Sequence, residues 1–288
     1  MMIYKICLYF NMGDFMEKDK ELPPPPESVV KELCDYVEKY ITALTYIPHG
    51  DPRDPPGKHS GTGWLVQDSN GPILATCEHV ARAQSSGKIG YSCFGCEYGI
   101  SLNNQFSLYP FDIDFAKADI ENTFRGVMHK GKWFEIKHQG ECTTIDHYAE
   151  NHCPVEDEYL YVYGFPGADA VAGFGQHEMR GMSVFLREVE FDPENFSEIP
   201  FPIKGKHICC AWNPKLAIAL LDTQGDLSLP PGMSGSPLWN TRYVEVTKAG
   251  GKWTPQDARI TGIVWGHSSK SCQLFATPVE MFRNIIFE

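Results

Sequence analysis

The first clear periodic pattern in the chain is an alternation of apolar and polar positions between Glu27 and Leu44. A spacing of three and four residues is typical of an amphipathic helix, and it is shown here by Val30, Leu33, Val37, Tyr40 and Ile41. Prolines 23–26 precede this stretch, and the Pro- and Gly-rich segment "IPHGDPRDPPGKHSG" follows it. Such breaks separate elements. We therefore predict an N-terminal segment, residues 1–55, with one helix at about 27–44.

From Gly61 onward the pattern changes to short apolar runs separated by Gly, Pro, Asn and Asp. The predicted strands are "GWLVQD", "PILATCEHV", "FEIKH", "YLYVYGFPG", "SVFLREVEF", "HICCAWN", "LAIALLDT", "YVEVTK", "RITGIVWG" and "LFATPV". Many short strands at fairly regular spacing predict an all-β fold, built as closed barrels or a sandwich. The last segment, "PVEMFRNIIFE", predicts a closing helix.

Composition narrows the classes of partner. The chain has 288 residues, 42% of them hydrophobic, and a net charge of −12. An acidic balance without a long basic run argues against nucleic acid or an anionic membrane as partner. The opening run "MMIYKICLYF" is interrupted by Lys5 and passes into charged sequence without a small-residue cleavage site. It is a poor signal peptide and too short to span a bilayer, so we expect a cytoplasmic protein.

The ten cysteines are scattered along the chain, a distribution that we interpret as reduced thiols. Cys93 and Cys96 have the C-x-x-C spacing of a zinc site, but no second pair at that spacing exists. Other ligand types lie in a different segment and spacing: His147, His152 and Cys153. We expect no metal and no cofactor. The adjacent Cys209 and Cys210 are predicted to fill a strand, because free cysteine behaves as a small hydrophobe.

The stretch "LPPGMSGSPLW" places Ser234 between glycines, which is typical either of a polar turn or of a reactive serine. A nucleophilic serine needs a base, an acid that orients the base, and backbone donors for the oxyanion. His79 ends the apolar run "PILATCEH", and Asp114 lies in "FDIDFAKADI". Each also has an ordinary structural interpretation, and Asp112 is a rival acid, because alternation turns both aspartates to the same face.

Four segments, in chain order, resemble the chymotrypsin-like (trypsin-like) serine protease family in its bacterial and intracellular branch: "GTGWLV", "ATCEHV", "DFA" and "GMSGSP". "YGFPG" is similar to the opening of that family's second barrel, and "GIVWGH" to its substrate-lining strand. The resemblance covers about Gly61 to Ile286. It implies two six-stranded Greek-key β-barrels, at about 56–150 and 151–288, with an N-terminal and a C-terminal helix.

The resemblance also implies roles for particular residues. Ser234 would attack a peptide carbonyl, His79 would act as general base and acid, and Asp114 would orient the histidine. The backbone N–H groups of Gly232 and Ser234 would form the oxyanion hole, because glycine allows the turn that this requires. The residues implied to bind substrate are Ser228, Trp265, Gly266 and His267. The expected substrate is a protein or peptide.

Departures from the family pattern carry further expectations. Ser236 replaces a second glycine after the serine, and Val80 stands where secreted members have a disulfide cysteine. Ser228 stands where trypsin has an aspartate, so no preference for Arg or Lys is predicted. His267 could instead accept an acidic side chain. Met233 replaces the aspartate of zymogen-type members, which predicts activity without N-terminal cleavage.

Two alternatives to a chymotrypsin-like protease belong to other classes of protein. An α/β-hydrolase needs G-x-S-x-G, but here the fifth position is Ser236. Asp257 and His267 do follow Ser234 in the hydrolase order, yet the remaining chain is too short for the rest of that fold. The second alternative is a catalytically silent protease fold that serves as a binding or scaffold module. The N-terminal segment is a candidate contact for a regulatory protein partner, although a lone helix of this sort more often packs on its own domain.

Overall fold

A computed structural model provides the coordinates of the chain. The residues it describes are 25–53, 57–92, 94, 99–120, 123–125, 135–137, 140–167, 170–171, 178–179, 181–191, 200–212, 217–218 and 230–288. Ser228, Cys93 and Cys96, which the sequence singled out, lie outside the described residues, as do residues 1–24.

The N-terminal helix is shorter than the sequence predicted. Helix α1 spans Glu27–Val37, and after one 3₁₀ turn the chain continues as strand β1, Ile41–Pro48. The prediction of helix as far as Leu44 is therefore wrong for its last residues. Strand β1 pairs antiparallel with two neighbours in the first sheet, and this long-range pairing outweighs the local helical periodicity. The first barrel thus begins at Ile41, ahead of the boundary expected at residue 56.

The first sheet contains seven antiparallel strands in the order β5-β4-β1-β2-β3-β7-β6. After β1 these are β2 (Lys58–Gln67), β3 (Pro72–Thr76), β4 (Gly87–Tyr91), β5 (Ile100–Ser101), β6 (Ser107–Tyr109) and β7 (Phe115–Asp119). Among the described strands, its two end strands do not pair with each other, so the sheet is a half-barrel. The short helix α2, Glu78–Ala81, follows β3, and a separate hairpin is formed by β8 (Thr123–Arg125) and β9 (Glu135–Lys137).

The second sheet closes into a six-stranded barrel. Its order is β10-β16-β17-β18-β14-β13, and β13 pairs back with β10. These strands are β10 (Leu160–Gly164), β13 (Met182–Glu188), β14 (Ile208–Ala211), β16 (Pro237–Asn240), β17 (Arg259–Ser268) and β18 (Gln273–Pro278). Strand β15 (Ala217–Ile218) pairs with β13, while β11 (Ala170–Val171) and β12 (Glu178–Met179) form a small hairpin. The predicted double-barrel fold is confirmed, with the first sheet open.

Two predictions near the C-terminus have different outcomes. The segment "YVEVTK" is helix α3, Tyr243–Lys248, and not the predicted strand. The buried carboxylate of Glu158 accepts hydrogen bonds from the N–H groups of Val244 and Glu245, so an anion stabilises the first turn of the helix. The closing helix is confirmed as α4, Arg283–Phe287, after one 3₁₀ turn.

Helix α1 packs against the two barrels. Its apolar face, which includes Val30, Leu33 and Val37, is buried in the larger core cluster together with residues of both sheets. The Tyr36 ring also lies edge-on to Trp239 of β16, at 6.3 Å between ring centroids. Burial of this face contributes stability as any core contact does. Within the described residues, none of the helices has the length and apolarity needed to cross a membrane.

Candidate active site

One short helix and two turns carry the candidate catalytic residues at the junction of the two barrels. His79 lies in α2, Asp114 directly precedes β7, and Ser234 lies in the turn that leads into β16. The His79 side chain is 47% exposed, whereas the Asp114 side chain is 5% exposed. An exposed imidazole with a shielded carboxylate behind it is accessible to a bound molecule, which proton exchange with that molecule needs.

The Asp114 carboxylate binds His79 at two points. Oδ2 lies 2.7 Å from Nδ1 of the imidazole, and Oδ1 accepts the main-chain N–H of His79 at 3.0 Å. Because a carboxylate oxygen accepts, Nδ1 must carry the proton and Nε2 is left with its lone pair. The imidazole is therefore held in the tautomer that can act as a base.

The rival acid is directed elsewhere. The Asp112 carboxylate forms an ion pair with Lys206, and its main-chain carbonyl accepts a hydrogen bond from Nε2 of His207 at 2.8 Å. Strand alternation failed to separate Asp112 from Asp114 because both lie in a turn, in which the Asp114 N–H donates to the carbonyl of Pro110 and φ of Asp114 is +48°. Of the two aspartates, Asp114 is the one that is hydrogen-bonded to His79.

The Ser234 hydroxyl has a different partner in this structure. It donates to the main-chain carbonyl of Trp265, with 3.3 Å between the oxygens. Within the described part of the chain, no hydrogen bond joins Ser234 to His79. The hydroxyl proton would have to leave the Trp265 carbonyl to reach His79, and catalytic hydrogen bonds often tighten only when substrate is bound.

Hydrogen bonding in the serine turn leaves two donors unused. Three N–H groups have main-chain acceptors: Met233 donates to Pro230, Gly235 to Val264 and Ser236 to Met233. Among the described residues, the N–H groups of Gly232 and Ser234 have no acceptor. These are the two donors predicted for the oxyanion hole. Unpaired N–H groups of alternate residues in one turn are what a developing oxyanion would need.

Glycine is required at position 232. Its φ is +101°, a conformation that side chains rarely adopt, and a Cβ there would lie 2.5 Å from the N of Gly167 and 2.7 Å from Nε2 of His59. His59 is half-buried, but both of its ring nitrogens are shielded from solvent beside this turn, and burial lowers its pKa. The turn around Ser234 is therefore tightly packed, and its backbone path depends on the missing side chain.

The first barrel anchors the serine turn through Thr62, a residue of the "GTG" motif on β2. Its N–H donates to the carbonyl of Ser234 at 2.9 Å, and its hydroxyl donates to the carbonyl of Gly232 at 2.9 Å. The same hydroxyl accepts the N–H of Phe165 at 3.0 Å. The motif by itself indicated no role for Thr62. A polar residue between two glycines inside a strand was the available signal.

Cys77 was also missed by the sequence analysis. Its Sγ, one ring nitrogen of His79 and a carboxylate oxygen of Asp114 all lie within 4.8 Å of one another, and these are ligand types that metals use. The thiol donates to the carbonyl of Val264 at 3.1 Å. Burial, and then the charge of Asp114, raise its pKa well above the ordinary value. Because a thiolate is the metal-binding form, this environment disfavours ligation.

Strand β17 runs past the serine and carries three of the predicted substrate-binding residues. Trp265 is buried and stacks on Phe275 at 5.7 Å, while its carbonyl faces the Ser234 hydroxyl. Gly266 is open, since a Cβ there would meet no atom within 4 Å. His267 follows and is half-buried. Among the described strands, the pairing of β17 with β16 ends at Ile263, whereas Gly266 still pairs with Phe275 of β18. An edge of this kind beside the serine suits pairing with an extended peptide.

A half-barrel and a closed six-stranded barrel, with the candidate Ser, His and Asp at their junction, have the architecture of the chymotrypsin-like (trypsin-like) double-barrel fold. The active form of the Rv3671c protease from M. tuberculosis is similar over 91% of this chain and 86% of that chain, with 13% identity and a TM-score of 0.49. Deg5 is similar over 92% and 95% respectively, with 15% identity and a TM-score of 0.49. No protein-family model matches the chain, and no curated protein sequence matches it.

Proposed function

We propose that this protein is a serine endopeptidase that forms an acyl-enzyme on Ser234. The observation that supports it most is the two-point contact of Asp114 with His79, since it leaves Nε2 of the imidazole free to accept a proton. A buried carboxylate placed in this way also stabilises the imidazolium formed during the reaction. A structural histidine on a protein surface needs neither feature.

The steps follow from these groups. His79 Nε2 takes the Ser234 proton as Oγ attacks the peptide carbonyl, and the N–H groups of Gly232 and Ser234 receive the oxyanion. His79 then protonates the departing amine, and water hydrolyses the acyl-enzyme by the same route. Loss of one oxyanion donor typically costs about 2.7–4 kcal/mol of transition-state stabilisation. The backbone of the serine turn therefore matters as much as its side chain.

The finer expectations belong to the same proposal. Hydrolysis after Arg or Lys is not favoured, because Ser228 supplies no negative charge. The compartment is the cytoplasm, and the supporting observation is that each described cysteine is a free thiol. Among these thiols, Cys209 and Cys210 are buried in β14, as the sequence predicted.

A silent binding module is the second candidate. The hydrogen bond from Ser234 to the Trp265 carbonyl favours it, because a hydroxyl that stays in that position is not activated by His79. The two candidates differ in one measurable property, the nucleophilicity of Ser234.

A fluorophosphonate probe tests this property directly. The purified full chain should be labelled on Ser234, identified by peptide mass spectrometry, and a peptide library should be cleaved. Ser234→Ala should abolish both. Ser236→Ala is the matched control: this serine is buried two residues away, outside the proposed machinery, and its variant should be labelled as the wild type is. If the wild-type chain is folded, as judged by circular dichroism, but is neither labelled nor active, the protease function fails and the silent binding module is the remaining candidate.

A further inference from the structure

The turn that carries Asp114 is strained and needs support. It spans Pro110 to Asp114, between β6 and β7, and the N–H groups of Ile113 and Asp114 both donate to the Pro110 carbonyl. The φ of Asp114 is +48°, a left-handed conformation that residues other than glycine rarely adopt. Such a conformation persists only where surrounding contacts determine it.

His207, from the second barrel, makes one of these contacts. It lies just before β14, and its Nε2 donates to the carbonyl of Asp112 at 2.8 Å, while Nδ1 accepts the N–H of Ile203 at 3.0 Å. A carbonyl can only accept and an N–H can only donate, so these partners fix the neutral tautomer with the proton on Nε2. The contact is directional and joins the two barrels.

The charges around His207 favour the same neutral form. Burial lowers its pKa to about 4, the positive charge of Lys206 acts in the same direction, and the negative charge of Asp114 acts against both. Around neutral pH the ring is therefore uncharged, and the donor and acceptor pattern is stable.

The same ring also reaches the serine side of the site. Its centroid lies 5.3 Å from that of Phe111 and 5.2 Å from that of Trp265. The Trp265 carbonyl is the acceptor of the Ser234 hydroxyl. One imidazole thus contacts both the turn of the candidate acid and the strand beside the candidate nucleophile.

We propose that His207 is a positioning residue: its hydrogen bond to the Asp112 carbonyl locks the Asp114 turn against the second barrel, and so keeps the Asp114 carboxylate on His79. This inference rests on the serine protease function proposed above. A second hydrogen bond also joins this turn to the second barrel: the Thr277 hydroxyl donates to the carbonyl of Ile113 at 2.7 Å. Removal of His207 should therefore loosen the turn without releasing it.

The ion pair of Lys206 with Asp112 is a weaker tie. Its side chains are 41% and 32% exposed, and ion pairs at such positions contribute little because solvent screens them. His207 provides a more buried and more directional bond to the same residue. Lys206→Ala is therefore expected to change the rate much less than substitutions of His207.

The first arm of the test is kinetic. His207→Phe keeps a ring against Phe111 and Trp265 but has no donor, whereas His207→Gln keeps an N–H donor. We expect kcat to fall about 10- to 100-fold in the Phe variant, the scale for a misplacement of about 1 Å. KM should change little, and Gln should restore most of the rate. His152→Phe is the control, since the imidazole of His152 bonds to Thr261 and Glu188 and not to this turn.

The second arm does not depend on hydrolysis. In ¹⁵N-histidine-labelled Ser234→Ala protein, the His79 Nδ1–H proton bonded to Asp114 should give a low-field NMR signal. We expect this signal in the parent and the His207→Gln protein, and its broadening by solvent exchange in the His207→Phe protein. His207→Ala replaces His207→Phe if the latter does not fold, as judged by circular dichroism.

Two results would overturn the proposal. One is an unchanged kcat and an unchanged His79 signal in the folded Phe variant. The other is a higher KM with the signal intact, which would make His207 a substrate contact. If the wild-type chain neither hydrolyses peptides nor reacts with the fluorophosphonate, the protease function fails, but the NMR arm still decides whether His207 holds Asp114 on His79.

Discussion

The carboxylate of Asp114 is bound by His79 through both of its oxygens, one to Nδ1 at 2.7 Å and the other to the main-chain N at 3.0 Å. Rotation of the carboxylate would break at least one of these bonds. The pair is shielded from water on the aspartate side, since Asp114 is 4% exposed, and a low dielectric strengthens both bonds. This relationship is the basis of the first prediction.

Asp114→Asn should reduce kcat by about 10⁴-fold, because an amide can donate to Nδ1 and so favour the wrong tautomer of His79. Asp112→Asn is the matched control, since it removes only a partly exposed ion pair with Lys206. Steady-state hydrolysis of a peptide substrate by the two variants measures the difference. If Asp114→Asn keeps full activity and Asp112→Asn is inactive, the acid is Asp112 and not Asp114.

Gly232→Ala should abolish activity and lower the melting temperature. The added Cβ would lie 2.7 Å from the Phe165 carbonyl oxygen in a backbone with φ of +101°. Gly250→Ala provides the comparison: its φ is +77°, but a Cβ there meets no atom within 4 Å. It should cost only the left-handed strain, about 1–2 kcal/mol, and leave the rate unchanged. Equal losses in the two variants would argue against a packed serine turn.

Thr62→Val should destabilise the protein and lower kcat, whereas Thr62→Ser should restore both. Valine removes the hydroxyl and leaves the Gly232 carbonyl and the Phe165 N–H without their partner. An unsatisfied buried polar group costs about 1–3 kcal/mol. Urea unfolding and kcat measure the two effects. A valine variant with wild-type values would show that the serine turn does not need this tie to the first barrel.

The full-length chain should be labelled by the fluorophosphonate without any cleavage. Met233 is fully buried and belongs to the apolar core of the second barrel, so it cannot pair with a freed terminal amine. Protein with an uncleavable tag ahead of Met1 provides the test, and Met233→Leu, a change that cores tolerate, should behave alike. Labelling of Ser234 only after proteolysis between Ile47 and Gly61 would demonstrate activation by cleavage.

Stability should decrease as the pH falls from about 6.5 towards 4. Burial lowers the pKa of His207 from the ordinary 6.5 to about 4, and burial also lowers the pKa of His59 and His147. In this window the unfolded chain binds protons that the folded chain does not. The free energy of unfolding is therefore highest above about pH 6.5 and decreases as the pH falls below it. Melting temperatures across the window measure this, and His207→Gln should flatten the curve. A flat wild-type profile would contradict the lowered values.

The sequence was sufficient to predict the fold class and the candidate site residues. The short apolar runs predicted an all-β chain. The resemblance of four motifs to the chymotrypsin-like family implied the double barrel, which the paired sheets confirm. The motifs also singled out His79, Asp114 and Ser234, whose catalytic roles remain predictions. The placement of Ser234 between glycines could be interpreted from sequence because a tight turn restricts which residues occupy it.

The remaining features depended on contacts between residues that are distant along the chain. Helix α1 ends at Val37 because Ile41 pairs with Trp64 of β2, and "YVEVTK" is helical because Glu158 binds its first turn. The contacts of Asp112 with Lys206 and His207, and the hydrogen bonds that Thr62 makes to the serine turn, likewise form only where the two barrels meet. Sequence spacing determines local turns and side-chain periodicity, whereas these bonds join groups that only the tertiary fold brings within hydrogen-bonding distance.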